Sequence, residues 1–157
     1  MIETKTHTID SVKDADALVE ILAAGAAFPL VVTGSSMIPF LKENRDTVVL
    51  QKTDRLKKGQ IVFFRRKSGE FILHRIRKIY PNGRLLINGD AQAWCEVIQR
   101  EQVLAVVQSI KRSNRCINPD STPSAILRCL WYPTRPIRPS ILKVYGLFRR
   151  IFKSICR

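Results

Sequence analysis

Hydrophobic residues follow two different periods along this chain, and the change of period separates its predicted elements. Apolar side chains recur at three- and four-residue spacing from Val12 to Ala26, which predicts an amphipathic helix that Gly25 and Pro29 end. From residue 29 to residue 111 the pattern changes to short runs of β-branched and aromatic residues between turn residues, which predicts strands. These runs are residues 29–32, 47–50, 61–64, 71–80, 84–87 and 103–107.

Several short strands at this spacing predict a mainly β fold, in which an antiparallel sheet closes into a sandwich or a partial barrel. We divide the chain into residues 1–28, a helix packed on the domain, and residues 29–112, the β domain. Residues 113–139 read as a linker rich in proline and serine with a short helix at 125–131, and residues 140–157 as a basic amphipathic helix. The prolines spaced by three at 133, 136 and 139 favour an extended spacer before that helix.

Positive charge is concentrated in the tail. The formal net charge is +14, and the segment from Lys111 to Arg157 holds eleven Lys and Arg residues against one acid, Asp120. In residues 140–157 the apolar side chains take helical spacing with the basic ones largely opposite, which suits a helix lying on an anionic membrane. A helix docked on its own domain with a charged outer face explains the pattern equally well.

The remaining composition excludes several classes of protein. No stretch has the roughly 20 apolar residues that a membrane-spanning helix needs, and no cleavable secretion signal is evident. The localisation therefore stays open between cytoplasmic and peripheral to a membrane. The four cysteines lack the paired spacing of a zinc site, so we expect reduced thiols, and acids are too few to favour a carboxylate metal site.

A serine-bearing turn follows the first predicted strand. Gly34 allows backbone angles closed to other residues, and Pro39 fixes its own φ and keeps Ile38 out of the helical region, so the turn between them is stiff. A serine held on such a turn, Ser35 or Ser36, is placed as a nucleophile needs to be if a base lies nearby. The ordinary alternative is a turn with solvent-facing serines, since glycine, serine and proline dominate turns.

His74 is the one credible imidazole base, because the other histidine, His7, falls in the predicted frayed N-terminus. Strand alternation places His74 on the same face as Ile72 and Ile76, where a histidine is more often a satisfied core residue than a catalyst. Asp90, in an Asn-Gly-Asp turn, is a candidate to orient the imidazole, although such a turn is also ordinary.

The order of these motifs resembles that of signal-peptidase-like serine peptidases. The Gly-Ser-Ser-Met-Ile-Pro turn at 34–39, the Lys-Gly-Gln-Ile-Val-Phe-Phe run at 58–64, His74-Arg75 and Gly89-Asp90 follow in the order of that family's sequence boxes. The resemblance covers about residues 31–107 and is strongest to the branch with histidine before arginine, as in endoplasmic-reticulum and archaeal signal peptidases.

The resemblance implies a role for each matching residue. It makes Ser36 the nucleophile, His74 the general base and Asp90 the third member, and it implies a cofactor-free acyl-enzyme mechanism on extended peptides. The backbone N–H groups of the turn from Gly34 to Ser36, with the hydroxyl of Ser35 or Thr33, are candidates for the oxyanion site. Relatives usually have asparagine where this chain has Ala91, and the downstream aspartate that some of them carry is not found at residues 93–95.

Sequence reasoning therefore predicts a serine endopeptidase that removes signal or leader segments from peptides or preproteins. The alternative is a non-catalytic basic β-barrel module that binds a membrane surface or nucleic acid. Nucleic acid is disfavoured, because the aromatic residues of the tail fall on its apolar stripe instead of among its basic residues. A self-cleaving repressor of the same clan is also disfavoured, since no helix-turn-helix pair precedes the β region and a lysine would be expected at position 74.

Overall fold

The computed structural model describes the backbone of residues 12–155 and the side chains of residues 17–138 and 140–147. The predicted frayed N-terminus that contains His7 lies outside the described residues. The helices of the described part are α1 (Val12–Ala23), α2 (Thr122–Trp131) and α3 (Arg138–Ile155), with 3₁₀ turns at Arg100–Gln102 and Tyr132–Ile137. Its strands are β1 (Phe28–Val31), β2 (Asp46–Gln51), β3 (Ile61–Arg65), β4 (Phe71–Ile79), β5 (Leu85–Asn88), β6 (Glu96–Ile98), β7 (Val103–Arg112) and β8 (Arg115–Ile117).

The strands form one antiparallel sheet, which confirms the mainly β fold. Its order is β1-β2-β7-β3-β4-β5-β6, and β8 pairs with the end of β7. Each of the six predicted strand runs coincides with an observed strand to within a few residues. The short strands β6 and β8 are not predicted, because three-residue strands carry too little periodicity to be recognised.

The two faces of β3 and β4 pack into different cores. Alternate residues such as Phe63 join a core with the strand β1, the helix α1 and Met37. The intervening residues, such as Phe64 and Ile76, join a second core with β5 and β6. The strands β3 and β4 therefore lie at the centre of the molecule, and their side chains are sorted between two apolar interiors.

The segment after β8 is more compact than the sequence indicates. The predicted short helix is confirmed as α2, and α3 is helical as expected. Pro133 and Pro136 lie in a 3₁₀ turn that joins the two helices, so the expected extended spacer is wrong at this point. Pro133 stands in the first turn of this 3₁₀ segment, where proline is tolerated, and Pro136 lies inside it. No helix of the described residues has the length and apolarity to cross a membrane.

Candidate active site

The turn that carries Ser36 continues directly from β1. Val32 extends the pairing of β1 by donating its N–H to the Asp46 carbonyl. Gly34 then takes a φ of +79°, a conformation that side chains rarely adopt, and its N–H donates to the Glu43 carboxylate. Met37 is 2% exposed and belongs to the first core, so it fixes the far end of the turn. The peptide bond before Pro39 is cis.

A buried carboxylate ties the segment after this turn to the sheet. Asp46 accepts hydrogen bonds from the guanidinium groups of Arg45 and Arg112 and from the N–H of Lys42. Arg112 also donates to the Phe40 carbonyl. Although burial acts to raise the pKa of Asp46, these hydrogen bonds hold it at about 2.

The loop of residues 88–94, here called the Asp90 loop, holds the backbone of Ser36. The N–H of Ala91 donates to the Ser36 carbonyl at 2.8 Å. Gly89 approaches the same carbonyl so closely that a Cβ atom would lie 2.7 Å from it. A side chain at position 89 would therefore force the two segments apart. The Asp90 loop and the serine turn are therefore packed directly against each other.

His74 lies in the middle of β4, opposite Val62 of β3, and faces the second core. It is 1% exposed, and its ring lies against those of Phe64 and Trp94. Its Nδ1 atom is 3.2 Å from Oε1 of Glu96, an ion-pair distance, although the pair does not meet hydrogen-bond geometry. The imidazole therefore has a carboxylate on one side and aromatic rings around it.

Glu96 is fixed by a second residue. Arg66 binds it with two parallel hydrogen bonds, Nη2 to Oε1 at 2.7 Å and Nε to Oε2 at 3.0 Å. Burial lowers the pKa of His74 to about 4, and the nearby Glu96 carboxylate only partly offsets this effect. The imidazole is therefore neutral at pH 7 and is able to accept a proton.

The carboxylate of Asp90 is bound by arginines and makes no hydrogen bond with His74. Arg75 donates to it from Nε and from Nη2, the latter at 2.7 Å, and Arg77 approaches at 3.4 Å. Arg75 also donates to the Gly59 carbonyl. Arg75 thus fixes the Asp90 loop against β4. Its neighbour His74 points to the other face, where Glu96 is the adjacent carboxylate.

A cleft of about 610 Å³ opens beside Ser36. One wall consists of residues 30–37 and the other of residues 70–73, with Phe63 at its base. The strand β1 is at one end of the sheet, and β5 pairs with β4 only from Arg75 onward. The cleft therefore lies between an edge strand and the half of β4 that β5 leaves uncovered, an arrangement that suits an extended peptide.

The cleft contains most of the predicted serine turn but not the predicted base. Gly34, Ser35 and Ser36 line it, and the wall formed by β4 stops at Leu73, one residue before His74. Ser36 and His74 form no hydrogen bond with each other. Among the described residues, no acceptor binds the N–H of Ser36. That N–H is therefore free to bind an oxyanion, whereas the N–H of Gly34 is occupied by Glu43.

Sequence reasoning missed two residues of this site. Glu96 follows residues 93–95, where no acid is found, and lies in a strand too short to be recognised from its pattern. In the sequence Gly89 is only part of a motif, and its contact with Ser36 depends on a packing that no local pattern reveals. Among the described residues no group of three or more His, Cys, Asp or Glu side chains is arranged to hold a metal ion.

Comparison with known proteins places the chain in a family. The family model of the peptidase S24-like proteins matches residues 2–108, which include α1, the serine turn, His74 and the Asp90 loop. No curated protein matches the chain. Because the family match covers well over half of the chain and contains both the turn and the sheet described above, the protein belongs to the peptidase S24-like family, whose fold is that of serine peptidases and self-cleaving proteins.

Proposed function

We propose that this protein is a serine endopeptidase that removes signal or leader segments from peptides, and that it belongs to the branch with a histidine base. The observation that carries this proposal is the position of Ser36 in a cleft between the edge strand β1 and the uncovered half of β4. An extended peptide laid there would run past the Ser36 side chain.

The chemistry follows from groups already described. Ser36 Oγ attacks the scissile carbonyl and forms a tetrahedral intermediate, whose oxyanion is stabilised by the Ser36 N–H. His74 takes the hydroxyl proton and later gives it to the leaving amine, after which water hydrolyses the acyl-enzyme. A neutral imidazole is the form that this role needs at pH 7. We assign the orienting role to Glu96, and Asp90 holds Arg75 and the loop.

This mechanism requires His74 to come within reach of Ser36 when substrate binds. Catalytic hydrogen bonds are often long or poorly aligned until the substrate complex forms, and we propose that the Ser36–His74 bond forms at that stage. Trp94 covers the imidazole from a partly exposed position, and its side chain is the group that would have to move.

Cleavage of an extended peptide pool tests the proposal. The wild-type protein, incubated with peptides that contain small residues and analysed by mass spectrometry, is expected to cut at defined sites. Ser36→Ala and His74→Ala are each expected to reduce the rate by at least about a thousandfold while circular dichroism stays unchanged. Ser35→Ala is the matched control and should retain cleavage. Absence of cleavage by the wild type, or cleavage by Ser36→Ala, would contradict the proposal.

A second candidate is a non-catalytic member of the family that only binds peptides. It is favoured by one observation, namely that His74 is 1% exposed and makes no hydrogen bond with Ser36. In this case the wild type binds the extended peptides without cutting them, and Ser36→Ala binds with the same affinity. The cleavage experiment therefore separates the two candidates.

We also propose that the tail of the protein rests on an anionic membrane surface. Three of the apolar side chains of α3 that the structure describes are more than half exposed, namely Val144, Tyr145 and Leu147. Exposed apolar residues on a helix with many basic residues suit the boundary between lipid headgroups and acyl chains. Sedimentation with vesicles that contain phosphatidylserine tests this. Leu147→Glu should weaken binding and Gln108→Glu, on β7, should not; equal binding by all three proteins would contradict the proposal.

A further inference from the structure

The segment of residues 131–138, here called the strap, lies outside the region that matches the family and crosses the Asp90 loop. It begins at the last residue of α2 and ends at the first residue of α3. Its contacts with the loop are made by side chains that donate hydrogen bonds. Neither the family match nor the proposed chemistry assigns these residues a role.

Three side chains of the strap bind the Asp90 loop at successive points. Trp131 donates its Nε1–H to the Asp90 carbonyl at 2.7 Å, and Arg135 donates to the Ala93 carbonyl. Arg138 donates to Oδ1 of Asn88 at 3.1 Å and to the Gln92 carbonyl at 3.2 Å. Together these residues bind one side of the loop, and Ser36 lies on its other side.

Arg138 is the most constrained of the three. Its side chain is completely buried, and among the described residues no carboxylate lies within ion-pair distance of its guanidinium. Its guanidinium also contacts the carbonyls of Trp131 and Tyr132 and lies over the Trp131 ring, all within the strap itself. Burying a charged group with only neutral acceptors is costly, so this arginine is poorly explained as a contribution to stability. Its hydrogen bonds instead fix the strap and the loop in one geometry.

The contacts of the strap with the Asp90 loop also affect the position of Ser36. The carbonyl of Asp90 is fixed by Trp131, and the next N–H, that of Ala91, donates to the Ser36 carbonyl. We propose that Trp131 and Arg138 are positioning residues, which hold the Asp90 loop in the conformation that fixes the backbone of Ser36. They touch neither the serine side chain nor the cleft.

Hydrogen exchange of the Ala91 amide tests whether Trp131 and Arg138 hold the Asp90 loop in place, and it does not require catalysis. The full-length Ser36→Ala protein is the reference, because the Ser36 carbonyl is unchanged in it. Trp131→Phe removes one donor and keeps an aromatic ring, and Arg138→Gln removes the guanidinium. Since one hydrogen bond contributes about 1 kcal/mol, each variant is expected to speed exchange at Ala91 and Gln92 about fivefold. Arg128→Gln, which removes a guanidinium bound to the Pro119 carbonyl, is the control and should leave both amides unchanged.

The inference rests on the proposed function only for its effect on activity. With Ser36 present, Trp131→Phe should lower kcat about fivefold with KM within twofold, because the loop does not line the substrate cleft. Faster hydrogen exchange that is confined to the Asp90 loop supports positioning of the loop by the strap, even if the protein cuts no peptide. Unchanged exchange at Ala91, or exchange that rises equally over the whole sheet, would overturn it. If Arg138→Gln does not fold, Trp131→Phe alone decides.

Discussion

Burial affects the charge of His74 more strongly than the adjacent Glu96 carboxylate does. Burial among Phe64, Trp94 and the second core lowers its pKa from 6.5 to about 4, while Glu96 acts in the opposite direction. A base with a lowered pKa is unprotonated over the whole physiological range. At the residue scale the imidazole is therefore neutral, and its burial makes it a weaker base than an exposed histidine.

This lowered pKa makes the stability of the protein dependent on pH. The unfolded chain takes up the proton of His74 near pH 6.5 and the folded chain only near pH 4, so the free energy of unfolding falls as the pH drops through this window. The loss is on the order of 3 kcal/mol. Urea unfolding at pH 7 and pH 4.5 measures it, and His74→Gln should show a clearly smaller decrease than the wild type. Equal decreases in the two proteins would contradict the burial of a neutral imidazole.

Ser36, His74 and Asp90 could be proposed as candidates from the sequence, but their partners could not. Ser36 is a candidate because glycine and proline constrain its turn, and the position of His74 in a strand follows from strand alternation. The pairing of Asp90 with Arg75 and of His74 with Glu96 depends on which strands are neighbours, which periodicity does not specify.

At the scale of elements, the cleft depends on two strands that are only partly covered. The edge strand β1 and the first half of β4 face each other across it, and Phe63 of β3 lies between them. Strand runs could be predicted from their β-branched and aromatic residues, but sheet order could not. The adjacency of β7 to both β2 and β3 brings together segments that are distant in the chain.

If a substrate peptide pairs with a strand edge, the effect of N-methylation on its KM is expected to alternate from one residue of the peptide to the next. Alternate N–H groups of an extended peptide point toward the edge, and the others point away. Methylation of one inward N–H should therefore raise KM about fivefold, the value of one hydrogen bond, while methylation of its neighbours has little effect. Steady-state kinetics with singly N-methylated versions of one cleaved peptide measure this pattern. A uniform effect at all positions would exclude pairing with β1 or β4.

On the scale of the whole molecule, the family region and the basic tail are joined at the Asp90 loop. The sequence indicated a separate linker after residue 112, because serine and proline dominate there. In the structure this region pairs with β7 through β8, forms α2 and contacts the Asp90 loop through Trp131 and Arg138. These contacts are made by single long side chains, which leave no periodic signal in the sequence.

Labelling with a fluorophosphonate probe measures whether Ser36 is an activated nucleophile. Such a probe reacts with a serine whose proton is taken by a nearby base, and peptide mass spectrometry identifies the modified residue. We predict that the wild-type protein is labelled at Ser36, that Ser36→Ala is not labelled, and that His74→Ala is labelled at least about a hundredfold more slowly. A folded wild-type protein that leaves Ser36 unmodified, or a His74→Ala protein labelled at the wild-type rate, would contradict the account.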